Sequence, residues 1–227
     1  MAVIEQLRQF GETRRGWLGV KIQSVTDDIA ETLGVKENTG ALISGVTPGG
    51  PAATAGIKAG DVVTRFDGRD IATMRGLPRL VSQTPVGKTV DIEVLRKGQK
   101  IAMKITIGRL QEDEDNKKPE TAPAQPGDGK SLLGMSLSPL TDDLRKKFQI
   151  DGKVKGVVVT AVEPNSKAGQ KGIKAGDVIV EAAQETVSAV EDVGKAIDKV
   201  RKAGRKAVLL RVEDAKGDMR FVAVSIE

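Results

Sequence analysis

The sequence predicts an α+β protein, mainly β, in which one antiparallel unit is built twice. The first observation is a repeat: Lys58-Ala59-Gly60-Asp61-Val62-Val63 returns as Lys174-Ala175-Gly176-Asp177-Val178-Ile179, at the same offset of 116 (172 less 56) that separates Gly56 from Gly172. The second is that β-branched runs of strand length outnumber helical stripes in both halves. The third is length, since 227 residues suit two domains of about 100 residues, each with a modest core.

Val3, Ile4, Leu7 and Phe10 stand at helical spacing ahead of Gly11, so residues 1–14 are expected to hold a residual helix from the end of a preceding domain. A frayed terminus is the equal alternative. Because residues 1–2 run straight into this segment, the chain is expected to be a piece of a longer parent. Arg14-Arg15-Gly16-Trp17-Leu18-Gly19 reads as a loop entering the strand Val20-Lys21-Ile22. Thr26, followed by Asp27 and Asp28 and closed by Gly34, marks a short helix, answered by Thr141-Asp142-Asp143 in the second half. Residues 40–46 and 156–162 read as buried strands. Each is followed by a turn, one short helical turn that is Ala-rich in the first copy, a Gly that lets the chain reverse, and the Gly-Asp strand.

Asp67-Gly68 then marks a tight turn. Met74, Leu77, Leu80 and Val81 place a second helix at 73–84, although Pro78 is comfortable only in a first turn and could shift its start to Gly76. Its counterpart at 190–202 carries Val190, Val193, Ile197 and Val200. Each copy closes with two strands, at 89–95 and 100–107, and at 206–212 and 219–226. Residues 111–130 combine Glu112-Asp113-Glu114-Asp115 with three prolines and almost nothing apolar, so they are expected to form a flexible linker between domains at 15–110 and 131–227. Calcium binding by the acidic run is the weaker alternative to plain solvation.

Composition excludes several function classes. With neither Cys nor His in the chain, disulfides, thiolate chemistry, the usual zinc ligands and any Ser-His-Asp or Cys-His arrangement are ruled out. No catalytic residue, metal or cofactor is therefore expected. The net charge of +5 is spread along the chain and aromatics supply only 2%, which speaks against nucleic-acid binding. No apolar run is long enough to span a bilayer. Gly87-Lys88-Thr89 lacks the earlier glycine of a phosphate loop, Ser82 standing there. Asp61 and Asp177, each after a Gly at a strand start, are expected to accept turn amides.

One constellation remains. Trp17-Leu18-Gly19-Val20 and Leu132-Leu133-Gly134-Met135 are apolar-Gly-apolar loops entering a strand, and successive loop amides aimed one way make a nest for a carboxylate. If the following strand is a sheet border, an extended peptide adds beside it and the facing helix receives its last side chain. Trp17, the one tryptophan, suits either ligand contact or the cover of an apolar surface.

Leu18-Gly19-Val20, Pro51-Ala52-Ala53, Ala55-Gly56-Ile57-Lys58-Ala59-Gly60-Asp61-Val62-Val63 and Gly68 with Ile71 together resemble a bacterial-type PDZ domain. Two such units after Arg14-Arg15-Gly16 resemble the C-terminal half of HtrA/DegP serine proteases, over essentially the whole chain. The resemblance implies partly open antiparallel β-barrels or sandwiches, each capped by two helices. It also implies a periplasmic parent whose protease domain carries the triad. The first groove would use Trp17, Leu18, Gly19, Val20, Ile22, Leu77 and Val81; the second Leu133, Gly134, Met135, Leu137, Val193 and Ile197. The implied partners are peptide C-termini or unfolded segments, the parent protease domain and other protomers. Two functions follow: capture of chain ends for the protease, or an assembly scaffold whose grooves meet neighbouring protomers.

Overall fold

In a computed structural model, residues 16–35, 39–109 and 130–226 are described, and the chain divides into two units, Met1–Lys117 and Lys118–Glu227. The expected helix at 1–14 lies outside the described residues, as does the expected linker up to residue 129. Lys130, assigned above to that linker, is instead the first residue of a strand.

The first unit runs β1 (Gly16–Trp17), β2 (Val20–Gln23), α1 (Asp27–Leu33), β3 (Ala41–Val46), α2 (Pro51–Thr54), β4 (Val62–Phe66) and β5 (Arg69–Asp70). It continues with α3 (Gly76–Gln83), β6 (Thr89–Arg96), β7 (Gln99–Thr106) and β8 (Gly108–Arg109). Its sheet has the order β2-β3-β4-β6-β7, with β5 folded onto β4, while β1 pairs with β8 separately. Every pairing is antiparallel, as short connections between consecutive strands require. Asp67-Gly68 and Lys97-Gly98 each place two successive residues at positive φ (47° and 74°, 50° and 80°), the backbone of two-residue hairpin turns. The helix expected from residue 73 starts at Gly76, so Pro78 falls in its first turn, where the missing N–H has no intrahelical acceptor to lose.

The second unit runs β9 (Lys130–Leu132), β10 (Met135–Pro139), α4 (Asp142–Phe148), β11 (Val157–Val162), α5 (Lys167–Gln170) and β12 (Val178–Ala182). After these come β13 (Glu185–Thr186), α6 (Val190–Lys202), β14 (Ala207–Glu213) and β15 (Met219–Ser225). The order is β15-β14-β12-β11-β10-β9, with β13 on β12. Asp192 fixes the start of α6 by accepting from the Ser188 and Ala189 amides at 3.1 and 3.0 Å, and Val190, Val193, Ile197 and Val200 face the core. The mainly-β α+β class is borne out. The four-residue helices α2 and α5 are the short helical turns expected there; counted with the two capping helices, they bring the described residues to three helices in each unit.

Both cores are chiefly aliphatic, as the scarcity of aromatics demanded, with Phe66 the one aromatic in the cluster of the first. In the first, Leu18, Ile43, Val63, Leu77, Ile92 and Ile105 share one cluster; each such burial contributes about 1.5–3 kcal/mol.

Candidate functional site

In the first unit the apolar-Gly-apolar loop joins β1 to β2. β1 lies against the end of α3 so tightly that a Cβ on Gly16 would strike the Val81 carbonyl oxygen and come within 2.8 Å of that of Thr84. Only glycine passes here. Gly19 adopts φ +74°, and the Trp17 indole lies across it and Gly50, 3.1 and 3.5 Å from where their Cβ atoms would stand. Trp17 thus covers the backbone of its own loop. The Leu18 carbonyl accepts from Ala52 N–H at 2.9 Å and the Gly19 carbonyl from Thr47 N–H at 2.8 Å. With its carbonyls anchored, the loop keeps two amides, Leu18 and Gly19, that donate to no acceptor among the described residues.

β2 pairs with β3 on one side and, among the described residues, with no strand on the other. Val20 and Ile22 are half-buried and pack on the cluster that contains Leu77 and Val81 of α3. The seven residues named for the first groove therefore meet around one sheet border, Leu18 and Leu77 as core beneath it.

The second unit is built differently at the equivalent place. β10 pairs with β11 on one side and with β9 on the other, in the register Met135↔Leu132, Ser136↔Ser131 and Leu137↔Lys130. Leu133 and Gly134, at φ +55° and +77°, are the two central residues of a hairpin turn, with the Gly134 carbonyl accepting from Glu163 N–H at 2.9 Å. Met135 and Leu137 are 0% and 1% exposed, and Val193 and Ile197 of α6 are 0% and 5%. All four belong to one cluster, against which Leu132 and Leu133 also pack. Among the described residues β2 thus has an unpaired border, as expected, whereas the border of β10 is occupied by the chain itself.

The repeated aspartates are anchors rather than reagents. Asp61 accepts from Lys58 N–H at 2.8 Å and holds Arg96 bidentately, Nε to Oδ1 and Nη2 to Oδ2 at 2.7 Å each, while the same Nη2 also donates to the Gly56 carbonyl. Asp177 accepts from Lys174 N–H at 3.0 Å and from Arg220 Nη2 at 2.6 Å. Burial pushes the Asp177 carboxyl above its ordinary range, outweighing the attraction of Arg220. The expectation of turn amides omitted these arginines, because Arg96 ends β6 whereas Arg220 lies on β15, and no repeat offset relates them. The occupied border had a readable signal: Ser131-Leu132 and Met135-Ser136 flank Leu133-Gly134 symmetrically, which is a two-residue hairpin pattern.

A separate hollow of about 260 Å³, lined by residues that include Phe66, Leu80, Thr84 and Lys88, shares no residue with the slot beside β2. A border that takes up a chain by main-chain hydrogen bonds needs no such cavity.

The PDZ domain family matches residues 16–107, and a second PDZ family model matches residues 158–214. The chain is a tandem pair of PDZ domains. The second match begins after β9 and β10, so the hairpin that closes the second PDZ domain's border lies outside it. A probable periplasmic serine endoprotease DegP-like of Rhizobium meliloti is 37% identical over 99% of this chain and 43% of its own length. Its namesake in Brucella suis is 39% identical over 99% of this chain and 42% of its own. The PDZ pair therefore spans about two fifths of these relatives. The solved HtrA-type protease AlgW with decapeptide is 34% identical over 49% of this chain and 34% of that one, with a TM-score of 0.45. Among the described residues no helix is long and apolar enough to cross a membrane.

Proposed function

We propose that the first PDZ domain takes up the free carboxyl end of an extended, apolar-ended peptide by strand addition to β2. In this reading it presents unfolded segments to the protease domain of a periplasmic DegP-like serine endopeptidase and helps to switch that domain on. The observation that carries the reading is the pairing of an uncovered β2 border with two loop amides, Leu18 and Gly19, that lack acceptors among the described residues. An incoming strand satisfies the border, its terminal carboxylate accepts from the loop, and its last apolar side chain meets Val20, Ile22 and Val81. This chain contains no His, so a Ser-His-Asp triad has to come from elsewhere in the parent.

Titration with one peptide in free-carboxyl and C-terminally amidated forms tests this. Hydrogen bonds to a charged acceptor are worth about 1.5–3 kcal/mol each, so amidation is expected to weaken binding at least ~10-fold. Equal affinity of the two forms refutes capture. For the second PDZ domain the occupied β10 border favours the assembly reading, in which this domain meets neighbouring protomers; a sedimentation profile independent of concentration argues against it.

A further inference from the structure

We infer that β9 is a built-in ligand of the second PDZ domain. Lys130-Ser131-Leu132 fills the border of β10 that strand addition would otherwise offer, and no other chain end docks there until it leaves. The inference rests on the same strand-addition reading as the first domain. Three features of the hairpin carry it. β9 runs antiparallel to β10 on the side away from β11, and its C-terminal end meets Leu133-Gly134, the counterpart of Leu18-Gly19. Leu132 and Leu133 supply the apolar anchor, packing on the cluster of Met135, Leu137, Val193 and Ile197. Finally, the equivalent stretch of the first domain, Gly16–Trp17, pairs with β8, and among the described residues no strand takes the outer side of β2.

The hold is of a displaceable kind. It spans three register pairs, and a two-residue turn makes Leu132–Met135, and by alternation Lys130–Leu137, the hydrogen-bonded ones. Leu133 sits at φ +55° without the side chain that eases that conformation, so its turn is weaker than an Asn-Gly one. A competing segment of the same chemistry, extended, apolar at its end and free at its carboxyl, gains the same groove and adds a carboxylate.

The test uses the whole chain and a decapeptide ending in Lys-Ser-Leu with a free carboxyl, followed through the amide resonances of Met135, Leu137, Val193 and Ile197. In the unmodified chain these resonances are expected to stay still at concentrations that saturate Val20 and Ile22 of the first domain. The double variant Lys130→Pro with Leu132→Gly removes one ladder donor and the β9 half of the anchor, and is expected to bind at least ~10-fold tighter in the second domain, with the gain abolished by amidating the peptide. Equal binding before and after substitution overturns the proposal. Hydrogen exchange of the unmodified chain keeps it falsifiable should the variant unfold: Met135 and Leu137 amides are expected to exchange at least ~100-fold more slowly than those of Val20 and Ile22, and equal rates overturn it. Stationary Val20 and Ile22 resonances would instead defeat the capture reading of the first domain, leaving the exchange result to decide for β9.

Discussion

Val20 and Ile22 of the first PDZ domain correspond to Met135 and Leu137 of the second. Each pair lies on a strand with a register shift against its inner neighbour, after Lys21 in one and after Ser136 in the other. Yet the first pair is half-buried on a strand whose outer border has no partner among the described residues, and the second is fully buried on a strand paired with β9. The cause lies upstream of the groove. In the first domain the chain enters along the end of α3, where Gly16 alone permits the approach, and turns to pair with β8. In the second it enters as a hairpin arm. Two copies of one fold thus differ in availability because of the strand that precedes each loop, Gly16–Trp17 in one and Lys130–Leu132 in the other.

The largest expected effect concerns the aspartate anchors. Asp61 is 1% exposed and grips Arg96 through both oxygens, whereas Asp177 holds Arg220 through one, and the two arginine side chains are 26% and 35% exposed. Breaking a buried charge pair costs about 3–5 kcal/mol, so Asp61→Ala is expected to lower the stability of the first domain by about that much. Asp177→Ala, with one contact and a more solvated partner, is expected to cost about 1–3 kcal/mol. Urea unfolding separates them, with Trp17 fluorescence reporting the first domain and amide resonances the second. A greater loss in the second domain would invert the comparison.

The repeat made the paired fold legible because the elements that carry it, the Gly-Asp strands and the Val190 to Val200 stripe, obey short-range periodicity. That Leu18-Gly19-Val20 and Leu77 with Val81 come together at the β2 border was legible for the same reason, since each is a local pattern. Arg96 and Arg220 were hidden because their contacts with Asp61 and Asp177 span 35 and 43 positions and come from non-equivalent strands. The fate of β10 was hidden because a border is a property of pairing. Leu133-Gly134 was read as a carboxylate nest, and the same two residues serve equally as the centre of a hairpin once Ser131-Leu132 folds back on Met135-Ser136.

A smaller difference separates the hairpins that follow β4 and β12. The first turns at Asp67-Gly68, the second at Ala183-Gln184 with φ +50° and +63°. Non-glycine residues in left-handed backbone cost roughly 1–2 kcal/mol, so Gln184→Gly is expected to stabilise the second domain by up to about 1 kcal/mol, after the greater entropy of glycine in the unfolded chain is subtracted. Gly68→Ala, placing a Cβ at φ +74°, is expected to destabilise the first domain by a similar amount. Thermal midpoints of the two variants read both signs, and a shift of the same sign in each would show that turn strain does not distinguish the domains.

The smallest expected effect is a pH dependence of the second domain. Burial raises the Asp177 carboxyl above its ordinary value of 3.8, with the nearby Asp214 adding a lesser push in the same direction and Arg220 pulling back. Between 3.8 and the raised value the folded domain keeps a proton that the unfolded chain has released, so folding takes up a proton and stability falls as the pH rises. The contribution is complete below 3.8 and is lost through the folded pKa. Asp192 carries the opposite sign, since the Ser188 and Ala189 amides hold its carboxyl below 3.8; its contribution is present above 3.8 and fades as the pH falls. In an Asp192→Asn background, the urea midpoint of the second domain is therefore expected to decline as the pH climbs through the Asp177 carboxyl titration, followed by carbon NMR. Arg220→Met removes the opposing attraction and is expected to move that titration higher still, whereas a midpoint that rises across the same window would mean that the arginine, rather than burial, governs the site.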